Sequence, residues 1–422
     1  MSKLLIICLL CAIFFLLTST ALAEKKEWHI KQGWNIIPFP IVSYNSDLGV
    51  QFGGSCDFFH FGSGTHYPDY LHKISVEASF YTKGSGVFRF FYDSENLIPH
   101  TRLTADISYL PDKMLPFYGF NGYTSPYIRR QPKGFYNMNR DMFRLTLDVQ
   151  KRIGGMWSWM AGFGYYNYRM GQVKAKKYRD QISLYQHYMT LGVIQAKEAR
   201  GGNVLQWKGG VSYDSRDIEG DPSRGFWGEV ILCGSPDWID RNGYDYLKLT
   251  TVFRHYVPIV NDRLTFAYRV GYQGTLAGKV PFYVQTNINT LYLRQTYSEG
   301  LGGTFSLRGI LRNRIVGDGI AWLNTEFRYR FLHFNLFRQN WYFVINPFLD
   351  AGKVVKSFRA NQLRDAGSPE VYCQDREKWH SSGGIGAKAV MNQNFVLSIE
   401  WGKAFDQRDG NNGFNLYMNF LF

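Results

Sequence analysis

Arg308 lies in the run Gly302-Gly303-Thr304-Phe305-Ser306-Leu307-Arg308-Gly309, and two acids follow on separate amphipathic stretches, Glu326 and Asp350. A guanidinium presents a planar fork of donors that matches carboxylates in bidentate geometry, so these three residues have the makings of a confined ion cluster. Such a cluster tethers; it does not catalyse. Catalytic patterns are scarce elsewhere. His187 falls in an expected loop, His100 and His333 at expected turns, and none stands with a serine in a nucleophile motif of the Gly-x-Ser-x-Gly kind. Beyond the N-terminal leader described below, no Cys-x-x-Cys or His-x-x-x-His spacing occurs, so no metal and no cofactor is expected. Cys56, Cys233 and Cys373 are too few and too scattered for a disulfide framework.

The elements that would position these residues are strands. Phe143, Leu145, Leu147 and Val149 alternate with Arg144, Thr146, Asp148 and Gln150. Leu323, Thr325, Phe327 and Tyr329 alternate with Asn324, Glu326, Arg328 and Arg330, while Phe395, Leu397, Ile399 and Trp401 alternate with Ser398 and Glu400. The end of the chain repeats the rule, with Phe414, Leu416, Met418, Phe420 and Phe422 on one side and Asn415, Tyr417 and Asn419 on the other. Stretches of ~10 residues with an apolar outside and a charged inside are the mark of a transmembrane β-barrel, because a charge on the lipid face costs a few kcal/mol near the midplane.

The pattern predicts strands over 34–44, 48–61, 72–82, 86–96, 101–110, 141–152, 156–170 and 205–216, then 224–235, 244–258, 262–276, 319–332, 340–354, 379–391, 394–405 and 412–422. The expected fold is therefore all-β: an antiparallel transmembrane barrel of about sixteen strands filling residues 34–422, with an even count as bacterial single-chain barrels have. Parity puts both ends in the periplasm and the long connections 111–140, 171–204, 277–318 and 355–378 outside the cell. Residues 1–23 read as a signal peptide, with Lys3, the apolar run Leu4 to Leu17 and Ala21-Leu22-Ala23 before the cleavage point. Residues 24–33 form a short periplasmic segment, too few for a folded domain.

Composition supports the barrel. Aromatics make up 17% of the chain and are spread evenly, as an aromatic outer wall requires. The net charge of +14 is carried by single Lys and Arg residues among strand-like alternations, with no basic run or helix, so nucleic acid is not an expected partner. A basic barrel in this location suits anionic lipid, lipopolysaccharide included.

Three segments carry a family resemblance. Tyr213-Asp214-Ser215-Arg216-Asp217 with Pro222-Ser223-Arg224-Gly225 resembles the strand–turn–strand signature of the BamA/TamA (bacterial surface antigen) barrels. The run ending in Arg308-Gly309 resembles that family's sixth extracellular loop, and Phe348-Leu349-Asp350-Ala351-Gly352 its Phe-x-Asp-x-Gly strand motif. The resemblance implies that the loop folds back into the lumen, where Arg308 and Gly309 lock against Glu326 and Asp350. It implies a non-enzymatic role in inserting or translocating protein or lipid at the outer membrane, aided by periplasmic or outer-membrane assembly proteins. Two departures stand out: no POTRA domain fits in residues 24–33, and Ile310 stands where the family usually has an aromatic. A passive pore or structural barrel is the alternative reading, and a lipid-modifying enzyme the third. Lateral opening between the first and last strands would separate them. Pro38 and Pro40, two apart in the first strand, remove two N–H donors from one of its edges, and the expected seam runs between that strand and Phe414–Phe422.

Overall fold

In the computed structural model, residues 30–45, 49–173, 181–238, 243–290, 300–393, 395–418 and 420–422 are described. Residues 1–23, expected to be a signal peptide, and most of the short segment after them lie outside the described residues. Sixteen strands form a single antiparallel sheet in sequence order. They are β1 (Trp34–Asn45), β2 (Gly49–His60), β3 (His72–Tyr81), β4 (Gly86–Ile98), β5 (Thr101–Pro116), β6 (Asn137–Gly154), β7 (Trp157–Gly171) and β8 (Gly201–Asp214). The second half runs β9 (Gly225–Ser235), β10 (Tyr246–Val260), β11 (Leu264–Gly278), β12 (Gly319–Leu336), β13 (Gln339–Lys356), β14 (His380–Met391), β15 (Phe395–Ala404) and β16 (Asn412–Met418). No helix among the described residues is long and apolar enough to cross a membrane.

The burial pattern is inverted relative to a water-soluble protein. Along β6, Arg144 is 1% exposed while Leu147 is 45% exposed; along β12, Glu326 is buried while Phe327 faces out. Charges point into the lumen and meet one another there: Arg144 with Asp106 at 2.9 Å, Lys208 with Asp148 at 2.9 Å, Arg254 with Glu229 at 2.6 Å. Apolar side chains form the outer wall, where lipid rather than water is the solvent.

β5 continues six residues past its expected end, and β6 begins four residues early. These extensions lie under the long loops, so both faces are covered and the alternation that reveals a lipid-bathed strand is lost. The loops form an apolar cap over that end of the barrel. Phe117, Phe120, Tyr188, Phe282, Val316, Phe358 and Val371 share one buried cluster with the inward-facing Met138, Met142 and Tyr168. Tyr188 lies on the short helix Leu184–Thr190, and burial pushes its hydroxyl up to about 12.

The opposite end is crossed by the turn between β8 and β9. Glu219 reaches Arg102 of β5 at 2.8 Å, and Asp221 reaches Arg330 of β12 at 3.0 Å and Tyr342 of β13 at 2.5 Å. β5 and β12 stand seven places apart in a sheet of sixteen, so one turn ties nearly opposite walls.

The last strand departs from expectation. β16 stops at Met418, and Phe420, Leu421 and Phe422 turn inward and are buried instead of continuing along the lipid face. Arginines lining the lumen account for it: Arg328 donates to the main-chain oxygen of Phe422 at 2.6 Å and Arg269 to that of Leu421 at 3.3 Å.

Candidate functional site: a lumenal arginine cluster and an unsealed seam

The loop between β11 and β12 dips into the lumen and presents Arg308 at its tip. Gly309 has φ +85°, a left-handed conformation, and a Cβ there would lie 2.6 Å from the carbonyl carbon of Gly402 on β15. Glycine alone lets the tip rest on the β15 backbone. Ser306 ties the preceding turn by accepting from the N–H of Gly302 at 2.9 Å, and Asn324 of β12 donates to the main-chain oxygen of Ser306 at 2.7 Å. Ile310, at the position where an aromatic is usual, is buried with Leu301, Leu307, Ile315 and Trp322.

Arg308 is fully buried. Its Nε and Nη2 donate to the two oxygens of Asp350, each at 2.9 Å, and its main-chain N–H donates to the same carboxylate at 2.9 Å. Nη1 donates to Glu326 at 2.7 Å and to Glu400 at 3.1 Å. The Phe348 ring lies 3.7 Å beneath the guanidinium. Two further cations complete the cluster, Arg328 on Glu326 at 2.7 Å and Lys388 on Glu400 at 2.8 Å. Three cations therefore meet three carboxylates, which is how a charge cluster persists away from water. The structure thus brings Arg308, Gly309, Glu326 and Asp350 together and adds Glu400. Sequence alternation places Glu400 on the lumen face of its strand, but nothing in the sequence links it to Arg308, 92 residues earlier; only the curling of β12 to β15 around the lumen does.

The loop also holds the last strand from inside. Thr304 donates to the Asn415 side chain at 2.8 Å, and the rings of Phe305 and Tyr417 meet edge-to-face at 5.9 Å.

The seam between β1 and β16 carries no ladder among the described residues. Among the described residues β1 pairs with β2 alone and β16 with β15 alone. Gly33 exchanges bonds with the β2 end of the hairpin, its N–H donating to Gly62 and its oxygen accepting from Phe61, both at 2.8 Å. The β1–β2 register is unbroken from Trp34 to Asn45, and backbone groups alternate edges along a strand. Residues 35, 37 and 39 therefore face β2, while Pro38 and Pro40 face the free edge. That edge lacks two donors. Phe414 lies on the lipid face of β16 and is 67% exposed; Phe422, expected on the seam, lies in the lumen instead.

Side chains span the gap where backbone does not. Ile37, Phe39, Phe59, Phe61 and Tyr67 share a cluster with Trp341, Met391, Phe395 and Leu397, and the rings of Phe39 and Phe395 are 5.7 Å apart. Leu397 and Phe395 share the face of β15 that carries the outward Ile399 and Trp401, so the covered face of β1 rests on the outside of β15.

No serine–histidine contact lies at this cluster among the described residues; the one between Ser94 and His72, 2.9 Å, lies at the far ends of β3 and β4. The most enclosed histidine, His380, bonds Asp409 at 2.6 Å and Glu377 at 3.1 Å, and no serine, threonine or cysteine is hydrogen-bonded to it among the described residues.

Comparison with known proteins agrees with this architecture. No match was found among curated proteins. Solved structures similar in fold include BamA from Haemophilus ducreyi lacking POTRA domains 1–3, at 15% identity and TM-score 0.53, covering 92% of this chain and 70% of that one. CdiB from Escherichia coli is similar at 11% identity and TM-score 0.51, covering 94% of this chain and 63% of the CdiB chain. At these identities the likeness is one of fold. The Omp85 superfamily domain matches residues 72–420, so this outer-membrane β-barrel belongs to the Omp85 superfamily.

Proposed function

We propose that this protein inserts or translocates polypeptide at the outer membrane by way of the β1–β16 seam. Members of the Omp85 superfamily insert or translocate proteins at that membrane, as assembly factors or transporters rather than enzymes. The observation that carries the reading is the unpaired seam, with Pro38 and Pro40 both withholding donors from its open edge. In lipid an unpaired strand edge is costly and invites an incoming strand. A passive pore fits less well, since the apolar cap covers one end of the lumen and the β8–β9 turn crosses the other. In this reading outer-membrane lipid, including lipopolysaccharide, bathes the seam, and assembly proteins present the client.

The test is a staple across the gap. Phe39→Cys with Phe395→Cys, in a chain with Cys56, Cys233 and Cys373 changed to alanine, would be oxidised in cells depleted of the native protein. Loss of outer-membrane protein assembly on oxidation, restored by reductant, is the expected result. Undiminished assembly with the staple quantitatively closed would overturn the proposal.

A further inference from the structure

We propose that His60 and His72 form a binding site for one divalent transition-metal ion on the outer face of the barrel, at its periplasmic rim. They stand too far apart in sequence for a His-x-x-x-His motif; the sheet brings them together. His60 closes β2, His72 opens β3, and the register sets the two directly opposite. Both share the parity of Phe52 and Phe80, which face lipid, and both are half-buried. Trp34 of β1 takes the next place in the row, its ring 4.8 Å from that of His60.

The two imidazole rings lie 5.8 Å apart, centre to centre, with their planes 31° from parallel. At metal–nitrogen lengths of about 2.0–2.1 Å, two imidazoles on one tetrahedral ion have centres roughly 5–6 Å apart. The hydrogen bonds of His72 fix which of its nitrogens is free. Ser94 Oγ lies 2.9 Å from the Leu71 carbonyl oxygen, which can only accept, so the hydroxyl proton lies there. The same Oγ lies 2.9 Å from Nδ1 of His72 and must accept from it; the Tyr92 hydroxyl, 3.0 Å from that nitrogen, is a second acceptor. Nδ1 therefore carries the proton and Nε2 presents its lone pair, as in histidines that bind metals through one nitrogen and are oriented through the other. His60 offers the second lone pair. Its Nδ1 is shut from water and has no hydrogen-bond partner among the described residues. A buried polar atom without a partner asks for a reason, and an ion shared between the two rings supplies one.

Neutral imidazole suits zinc, copper or nickel, whereas calcium and magnesium take oxygen ligands. No third His, Cys, Asp or Glu joins the pair among the described residues, so water completes the coordination. The effect of the ion is mechanical: it joins β2 to β3 at the foot of the β1–β2 hairpin, whose ladder ends at the Trp34–His60 pair. Binding is a property of these two strands and does not depend on what the seam does.

The experiment titrates Cu2+ into the purified full barrel in lipid nanodiscs at neutral pH, read by electron paramagnetic resonance against empty discs. The protein carries no histidine tag, and the three native cysteines of the barrel are changed to alanine so that no thiol takes the metal. One equivalent of copper is expected to give a spectrum split by two imidazole nitrogens, and excess Zn2+ is expected to displace it. His60→Ala and His72→Ala should each remove the two-nitrogen splitting and weaken binding by roughly a hundredfold, because the second ring binds as an intramolecular ligand. Ser94→Ala keeps both ligands but frees the His72 ring to turn, and should weaken binding by roughly tenfold with the splitting retained. The gel mobility of unboiled samples shows that each variant is folded, and His72→Gln replaces His72→Ala should that one fail. Zinc should raise the urea midpoint of the parent barrel and leave that of His60→Ala unmoved. A parent spectrum with a single nitrogen, a two-nitrogen spectrum that survives both histidine variants, or a parent midpoint indifferent to zinc would each overturn the proposal.

Discussion

Arg308→Ala offers a graded test of the lumenal cluster, because its three acids differ in what they retain. Glu326 keeps Arg328 at 2.7 Å and Glu400 keeps Lys388 at 2.8 Å. Asp350 accepts three bonds from residue 308 and, among its described side-chain contacts, keeps only the main-chain N–H once the guanidinium is gone. Leaving a buried carboxylate without its cation costs about 3–5 kcal/mol, so the single variant is expected to lose about that much stability. The coupling energy in a double-mutant cycle is then expected to be large with Asp350→Ala, about 2–4 kcal/mol, and about 1 kcal/mol with Glu326→Ala or Glu400→Ala. Arg308→Lys keeps the charge but cannot span both oxygens of Asp350 while reaching Glu326, and should recover only part of the loss. The assay is the folded fraction against urea in liposomes, read from the gel mobility of unboiled samples. Additivity within about 0.5 kcal/mol at Asp350, or equal coupling at all three acids, would refute the argument.

Gly309→Val is expected to cost about 1–3 kcal/mol from the left-handed backbone alone and to lift the loop tip off Gly402, which protease cleavage within residues 300–318 would report. Pro38→Ala with Pro40→Ala returns two donors to an edge of β1 that has no ladder partner among the described residues, and each unsatisfied N–H in hydrocarbon costs several kcal/mol. The double variant is expected to lower the unfolding midpoint; a higher midpoint would mean that the two N–H groups restore ladder bonds to β2 and that the prolines face that edge instead. Glu219→Gln with Asp221→Asn unties the turn that joins opposite walls, and cleavage between residues 215 and 224 should rise while the cap stays intact.

Much of the architecture was legible because lipid and lumen impose opposite demands on alternate residues. Wherever a strand is bathed by lipid, as from Leu145 to Val149, polarity alone reads its course and its facing. The signal fades where both faces are covered by protein, so the polarity pattern stops short of the loop-side ends of β5 and β6. Arg308, Glu326 and Asp350 could be grouped because the loop run resembles a family loop that folds into the lumen, and the two acids lie on the polar parity of adjacent strands just after it. Glu400 has the same parity, yet its approach to Arg308 depends on how β15 comes round the barrel, a property of the whole sheet. The edge that Pro38 and Pro40 face was likewise undetermined until the bonds of Gly33 set the phase of β1. Phe422 was misplaced for an instructive reason: its parity is that of a lipid-facing strand residue, and the arginines that draw it inward come from β11 and β12, far away in sequence.

The two routes by which a chain could cross this barrel differ in what must be broken. A path along the lumen has to displace the buried aromatic cap, where each large apolar side chain is worth about 1.5–3 kcal/mol, and then the charged cluster and the crossing turn. A path through the wall at β1 and β16 meets no ladder among the described residues; it meets side-chain contacts such as Phe39 on Phe395. The edges exposed there do not sit idle in lipid, because each unsatisfied backbone group costs several kcal/mol in hydrocarbon. Pro38 and Pro40 lower that cost for β1 by removing two donors, and the inward turn of Phe420–Phe422 lowers it for β16 by taking backbone out of the wall. In the route proposed above, the edge left short of ladder partners among the described residues is one on which a strand supplied from outside would gain bonds without first having to break any.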